Sequence, residues 1–149
     1  MDKNYKDIIN KYASDILNNK KYKEQKQYMQ HGKTSVLEHE MNVTICCLNI
    51  ANKLKLKVDE CSLIRGALLH DYFLYDWHRP DKSHKLHGFH HAKTALDNAS
   101  KDYDLNKVER NMIYTHMFPM NLRIPKYKES IILCLADKIV ATKETIKRK

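Results

Sequence analysis

Residues 61–71 read Cys-Ser-Leu-Ile-Arg-Gly-Ala-Leu-Leu-His-Asp, and the last six of them, Gly66-Ala67-Leu68-Leu69-His70-Asp71, decide the fold. Leu63, Ile64, Ala67 and Leu68 recur at helical spacing, and Asp59 stands where an N-cap belongs, so this stretch is a helix running into a core. It delivers an imidazole and a carboxylate at its inner end. A buried carboxylate is costly unless it is paired or bound to a metal.

Outward from that helix the chain reads as helices throughout. Tyr5, Ile8, Ile9, Tyr12, Ile16 and Leu17 form a first amphipathic helix that ends near the polar run Asn18 to Lys21, followed by a short Lys- and Gln-rich segment ending at His31-Gly32. Ser35-Val36-Leu37-Glu38 has capping-box form, and the helix it opens runs to about Leu54. After an aromatic and charged loop between Tyr72 and Gly88, Ala92, Ala95 and Ala99 mark another helix, and Asp104 or Asn106 opens one carrying Val108, Met112, Ile113 and His116. Pro119 and Pro125 bracket a turn, with Pro125 suited to the first position of a last helix reaching toward Thr145. Three glycines, no Asn-Gly or Asp-Gly turn and no strict alternation leave little room for a sheet. The fold class is all-α, a single-domain helical bundle.

Four more ionisable residues sit on apolar helical faces. His39 shares its face with Val36, Val43, Cys46 and Ile50, so its ring points inward where its neighbours Glu38 and Glu40 do not. Asp137 shares a face with Leu133, Cys134, Val140 and Ala141; His116 follows Met112 and Ile113; His91 opens a face with Ala95. Any one of these fits a hydrogen-bonded group in a core. Five separate helical stretches each burying one point instead to a shared metal. Imidazole nitrogens with carboxylate oxygens suit one or two divalent transition metal ions (Mn, Fe, Co, Ni or Zn) better than magnesium or calcium. One ion fits His39, His70, Asp71 and Asp137, and a second could share Asp71 and take His91 and His116. Two such ions on the order of 3.5–4 Å apart can deprotonate a bridging water and clamp a phosphoryl group.

Composition narrows the remaining classes. A chain of 149 residues, 42% hydrophobic, supports one domain with a proper core rather than two. The opening residues lack an apolar leader segment, and no stretch is long enough to span a bilayer, so a soluble cytoplasmic protein with no membrane partner is expected. Cys46, Cys47, Cys61 and Cys134 lie in apolar helical patterns without a C-x-x-C pair, as reduced core thiols do. The net charge of +9 is mostly lysine scattered along the chain, unaccompanied by any nucleic-acid-binding pattern. Nucleic acid is therefore not the expected partner, while the positive field concentrates small anionic substrates.

The ordered set His39, His70-Asp71, His91, His116, Asp137 resembles the HD-domain superfamily of metal-dependent phosphohydrolases. The likeness spans about residues 31–145, leaving 1–30 as an N-terminal helical extension within one HD domain of residues 1–149. His31-Gly32-Lys33-Thr34, Glu38-His39, the segments 68–78 and 86–96, and Pro125 to Ser130 are similar to a small bacterial subgroup of stand-alone HD hydrolases. The resemblance implies an all-α bundle with its metal site between helices, and a small phosphorylated substrate, commonly a nucleotide. The family's third ligand usually stands in a His-Pro-x-x-Gly-Ala form, which His91-Ala92-Lys93-Thr94-Ala95 matches best; His87-Gly88 is the competing match and His90 the third. Met117 follows His116, so the paired histidines of the cyclic-dinucleotide phosphodiesterases are missing, as is their Gly-Tyr-Pro motif.

The expected activity is hydrolysis of a phosphate ester or anhydride by metal-activated hydroxide, with Asp71 at the centre, His87 or His78 as the acid that protonates the leaving group, and Lys138 reaching the phosphate. Lys93 reads as solvated surface charge at least as readily as a phosphate contact. Tyr72, Tyr75, Trp77 and His78 read as aromatic packing over the bundle end ahead of a lid or a surface on which a base stacks. Two rival readings stand: a di-iron oxygenase using the same six ligands, and a non-catalytic metal-stabilised module that binds a nucleotide or a partner. The oligomeric state is not legible in the sequence.

Overall fold

The computed structural model of the chain describes residues 4–31, 34–72, 87–119 and 122–147. Among them lie seven α-helices: α1 (Lys6–Leu17), α2 (Lys20–Glu24), α3 (Val36–Lys53), α4 (Glu60–Leu69), α5 (His87–Asp102), α6 (Lys107–Thr115) and α7 (Lys128–Lys147). A 3-10 turn at Gln25–Gln27 and two short strands, β1 (Met29–His31) and β2 (Thr34–Ser35), join α2 to α3. α3 packs against α4 and α7; α4 also meets α1 and α6, and α6 lies against α5 and α7. The result is the expected helical bundle. None of the described helices is long and apolar enough to cross a membrane.

The helix starts are set by local chemistry. Ser35 Oγ accepts from the Glu38 amide at 3.1 Å while Glu38 Oε1 accepts from the Ser35 amide at 3.4 Å. Asn106 and Glu109 form a second capping box at 2.8 and 3.0 Å, which settles the start of α6 on Asn106 rather than Asp104. Asp59 caps α4 through the Ser62 amide at 3.1 Å. Each cap contributes about 1 kcal/mol, enough to fix where a helix begins but too little to hold the bundle. That falls to the buried apolar residues, among them Val43, Leu63, Ile64, Leu68, Ile113 and Leu133, each contributing about 1.5–3 kcal/mol.

Two local expectations are corrected, and one segment to which the sequence assigned no element takes shape. The Lys- and Gln-rich segment is ordered as α2 and the 3-10 turn, with Asn19 accepting from the Tyr22 amide at 3.2 Å as the cap. β1 and β2 pair antiparallel, a ladder too short for alternation to reveal; Gly32-Lys33 between them in sequence is a Gly-X pair of the kind hairpins use. Pro125 precedes α7 by three residues instead of opening it.

Gly66 sits where α4 and α6 cross. A Cβ there would lie 2.5 Å from Met112 Sδ and 3.2 Å from Met112 Cβ, so the missing side chain lets the helices approach. The α6 helix carries His116 at its end, which links this close contact to the ionisable cluster. Gly66→Val should destabilise the chain by about 1–3 kcal/mol in chemical denaturation, because the extra methyls must push α6 away. Unchanged stability would show that the Met112 side chain simply swings aside.

Candidate metal centre

Five helices deliver the six residues. His39 comes from the middle of α3, His91 from α5 and Asp137 from α7, while His70 and His116 are the C-caps of α4 and α6, with Asp71 the residue beyond α4. All four imidazoles and Asp71 are at most 2% exposed, whereas the Asp137 side chain keeps 16%.

Asp71 lies at the middle. Its Oδ2 is 3.3 Å from His39 Nε2 and 3.1 Å from His70 Nε2. On its other side Oδ1 is held by His91 Nε2 and faces His116 Nε2 at 3.4 Å. Asp137 Oδ1 closes the first side, 2.9 Å from His39 Nε2 and 3.4 Å from His70 Nε2. The donors therefore fall into two groups that share Asp71: His39, His70, Asp71 and Asp137, and Asp71, His91 and His116, with the ligand atoms of each group within 4.8 Å of one another.

The far side of three of the rings is also specified. His70 Nδ1–H donates to Ala67 O at 2.6 Å and His116 Nδ1–H to Ile113 O at 2.7 Å. Each histidine thus uses a carbonyl near the end of its own helix, where the helix itself leaves acceptors unsatisfied. His39 Nδ1 bonds Glu144 Oε1 at 2.8 Å, and Asn42 steadies the other oxygen of Glu144 at 3.1 Å. A proton fixed on Nδ1 leaves Nε2 of each neutral ring with its lone pair toward the carboxylates. This is the outer arrangement that metal-bound histidines use.

Two carboxylates escaped the sequence reading. Glu144 lies seven residues past Asp137, two turns along α7, and that spacing was its signal. Glu40, expected to point outward, is fully buried, because α3 is flanked on one side by α4 and α7 and on another by the 3-10 turn. Its Oε1 accepts from Gln25 Nε2 at 2.8 Å and its Oε2 from the Asp71 amide at 3.3 Å. Burial pushes the Glu40 carboxyl well above the usual range.

Of the other candidates, Lys138 donates its ammonium to Phe118 O and, at 3.4 Å, to Cys134 O. Cys134 Sγ lies 3.3 Å from both Thr115 O and His116 O, so these two α7 side chains clasp the turn that carries His116. Lys93 is exposed and pairs with Asp97 at 2.9 Å. Tyr72 is buried in stacked contact with Tyr22. The side chains of His87 and His90, and residues Tyr75, Trp77 and His78, lie outside the described residues.

The residues present fit a metal. Donors about 2.1 Å from a common ion stand roughly 3.0–3.4 Å apart in octahedral or tetrahedral arrangements, and Nε2 of His39, His70 and His116 stands 2.9–3.4 Å from the aspartate oxygens, with His91 in closer contact. His70 Nε2 and His116 Nε2 are shut off from solvent and make no hydrogen bond. Burial alone would lower the His39 pKa, but its hydrogen bonds to Asp137 and Glu144 raise it to about 10. His70 is likewise raised against its burial by Asp71 and Asp137, while His116 is lowered by burial and stays neutral. Asp71, facing His70 and His91, and Asp137, facing His39 and His70, are held well below the carboxylate range despite burial. Protons on His39 and His70 thus balance two ionised aspartates, and a divalent cation replaces two such protons at equal charge.

The sign of the pH dependence follows. A raised histidine stabilises the metal-free fold fully below pH 6.5, and for His39 this contribution is lost as pH climbs through about 10. Metal uptake must displace those protons, so affinity for Mn2+ or Zn2+ should tighten as pH rises from about 6 to about 8, with protons released into weakly buffered solution. Calorimetric titration in buffers of different ionisation enthalpy measures both. Affinity independent of pH would show that the rings are already neutral.

Compared with the curated proteins and with the solved structures, the chain has no match. A family model does match: that of the HD domain, over residues 36–142, from the first residue of α3 to within five residues of the end of α7. The match takes in all six residues of the centre. The chain belongs to the HD-domain family, within a superfamily of metal-dependent phosphohydrolases.

Proposed function

We propose that the chain hydrolyses a phosphate ester or anhydride of a small molecule, with a nucleotide as the substrate class. The observation that carries this reading is the sharing of Asp71 between two groups of donors. One carboxylate facing two sets of imidazoles from opposite oxygens is an arrangement suited to two ions side by side, the pair that phosphoryl transfer uses. Such ions, when bound, supply Lewis acidity and make water acidic enough to act as a nucleophile at neutral pH.

The chain's own residues do the rest. Asp71 sets the spacing of the two groups, and Glu144 with the carbonyls of Ala67 and Ile113 keeps three ring nitrogens aimed inward. Asp137 alone among the six retains appreciable exposure, so substrate and water approach from the α7 side of the centre. Lys138 is the next residue on α7, and His87 stands one turn before His91 on α5. We assign His87 as the acid for the leaving group and Lys138, which follows Asp137 on α7, as the contact to the phosphate, acting there or by holding the His116 turn through Phe118 O. The net positive charge draws in an anionic substrate and favours a phosphorylated one.

Asp71→Ala should abolish turnover of nucleoside phosphates and lower the bound metal from two ions per chain, whereas His116→Ala, outside the His39 group, should lose only one ion. Elemental analysis of chelator-free protein, beside phosphate release with manganese, measures both. Phosphate release persisting in Asp71→Ala would overturn the reading. Oxygen consumption by iron-loaded protein without phosphate release would put the di-iron oxygenase in its place, and a nucleotide that binds saturably but survives incubation would put a binding module there.

A further inference from the structure

The family match begins at Val36, yet contacts from before that point reach the metal-bearing turn from behind. Gln25, in the 3-10 turn, is fully buried and donates through Nε2 to Glu40 Oε1 at 2.8 Å and to Tyr22 O at 3.2 Å. Glu40 passes the contact on, its other oxygen accepting the Asp71 amide at 3.3 Å. The next residue along is gripped by the same segment. Tyr22 stacks on Tyr72 with ring centres 6.4 Å apart and planes 14° apart, and the Tyr72 hydroxyl donates to Asp102 Oδ2 at 2.8 Å, an oxygen that Lys21 of α2 also reaches at 3.0 Å. Both residues that leave α4 are thus held from the N-terminal side.

We infer that Gln25 and Glu40 are positioning residues for the metal centre: the segment 20–27 is a latch that sets the Asp71 backbone, and through it the carboxylate shared by the two donor groups. The argument is geometric. Asp71 lies just beyond the end of α4, where the His70 amide donates to Ala67 O and the Tyr72 amide to Leu69 O, while the Asp71 amide itself donates across to the Glu40 oxygen on α3. Gln25 in turn fixes which way the Glu40 carboxylate faces. Asp71 serves both donor groups, so a small rotation there disturbs both, whereas loss of Glu144 touches His39 alone. The inference rests on the metal-centre reading above.

The test uses the full chain and Co2+ alone, followed by its visible absorption. Gln25→Asn, one methylene too short to reach Glu40, should weaken Co2+ binding about ten- to a hundredfold and alter the band shape. Glu40→Gln is the conservative exchange: with the Gln25 amide turned over it can keep the contacts to Gln25 and to the Asp71 amide, giving up only the Gln25 bond to Tyr22 O, so it should retain more of the affinity than Glu40→Ala. Asp15→Ala, which breaks the Arg65 pair at 2.7 and 3.0 Å between α1 and α4, gives the effect of lost stability without loss of the latch and should leave Co2+ affinity unchanged. If Gln25→Asn fails to fold, the Glu40→Gln and Glu40→Ala pair decides alone. Equal Co2+ affinity and spectra across these variants, with only melting temperature altered, would overturn the inference. A chain that binds Co2+ in this graded way yet hydrolyses no phosphate ester would overturn the hydrolase reading and leave the latch standing.

Discussion

Asp71 is a carboxylate 2% exposed, and the rest of the structure is arranged around the cost of putting it there. An ionised carboxylate moved into a protein interior loses several kcal/mol of hydration unless charges and donors replace the water. Here four imidazoles face its two oxygens, and its own amide is engaged by Glu40. Those imidazoles are buried as well, so each needs a partner for its second nitrogen. The partners observed for three of them are two carbonyls near helix ends and one glutamate. The solution to one buried charge thus propagates outward through two shells before it reaches solvent.

This propagation explains why the bundle is built as it is. α4 and α6 end at the centre, each presenting a histidine at its C-cap whose Nδ1 is held by a carbonyl three residues back. α3 and α7 run past it and supply His39 and Asp137 from their middles, joined again a turn further out by Glu144 and Asn42. Close approach is needed throughout, and Gly66 against Met112 provides it between the two helices that end there. The two donor groups draw on all five of these helices, so the complete centre requires α3, α4, α5, α6 and α7 packed together.

The parts of this design that could be read from the sequence are those where a polar residue breaks an apolar pattern. His39 among Val36, Val43 and Cys46, and Asp137 among Leu133, Cys134 and Val140, stand out because the helix period assigns them a face. The capping box at Ser35 was legible for a similar reason, a hydroxyl three residues before a glutamate having a local function, whereas at α6 the sequence left Asp104 and Asn106 open and the box on Asn106 decides between them. Glu40 was not legible, since a helix embedded on more than one side has no single inward face, and period alone assigned it to solvent. Glu144 lies in a lysine- and glutamate-bearing stretch that looks like a solvated tail, and only its spacing from Asp137 marked it. The α2 segment carried little apolar signal at all; its order comes from Tyr22 and Gln25 being buried against distant residues, which is tertiary information. Strand pairing of two or three residues is likewise below what alternation can register.

The centre is held together before any cation arrives, and the electrostatics show how. Hydrogen bonds to Asp137 and Glu144 keep His39 protonated to about pH 10, and His70 is raised as well, so two imidazolium ions sit among carboxylates held well below their ordinary pKa. Within the first donor group the ring nitrogens of His39 and His70 stand 2.9–3.4 Å from the aspartate oxygens, close to the roughly 3.0–3.4 Å between donors that share one ion. His39, His70, Asp71 and Asp137 would hold a divalent ion by giving up the imidazolium protons, with their donor atoms already gathered by the fold. What the exchange loses in competition with those protons it recovers in the ordering that the fold has already supplied. Two imidazolium protons and one divalent ion carry the same charge, so a first ion at the His39 group would leave its charge unchanged, and a second at His91 and His116 would add positive charge beside Asp71.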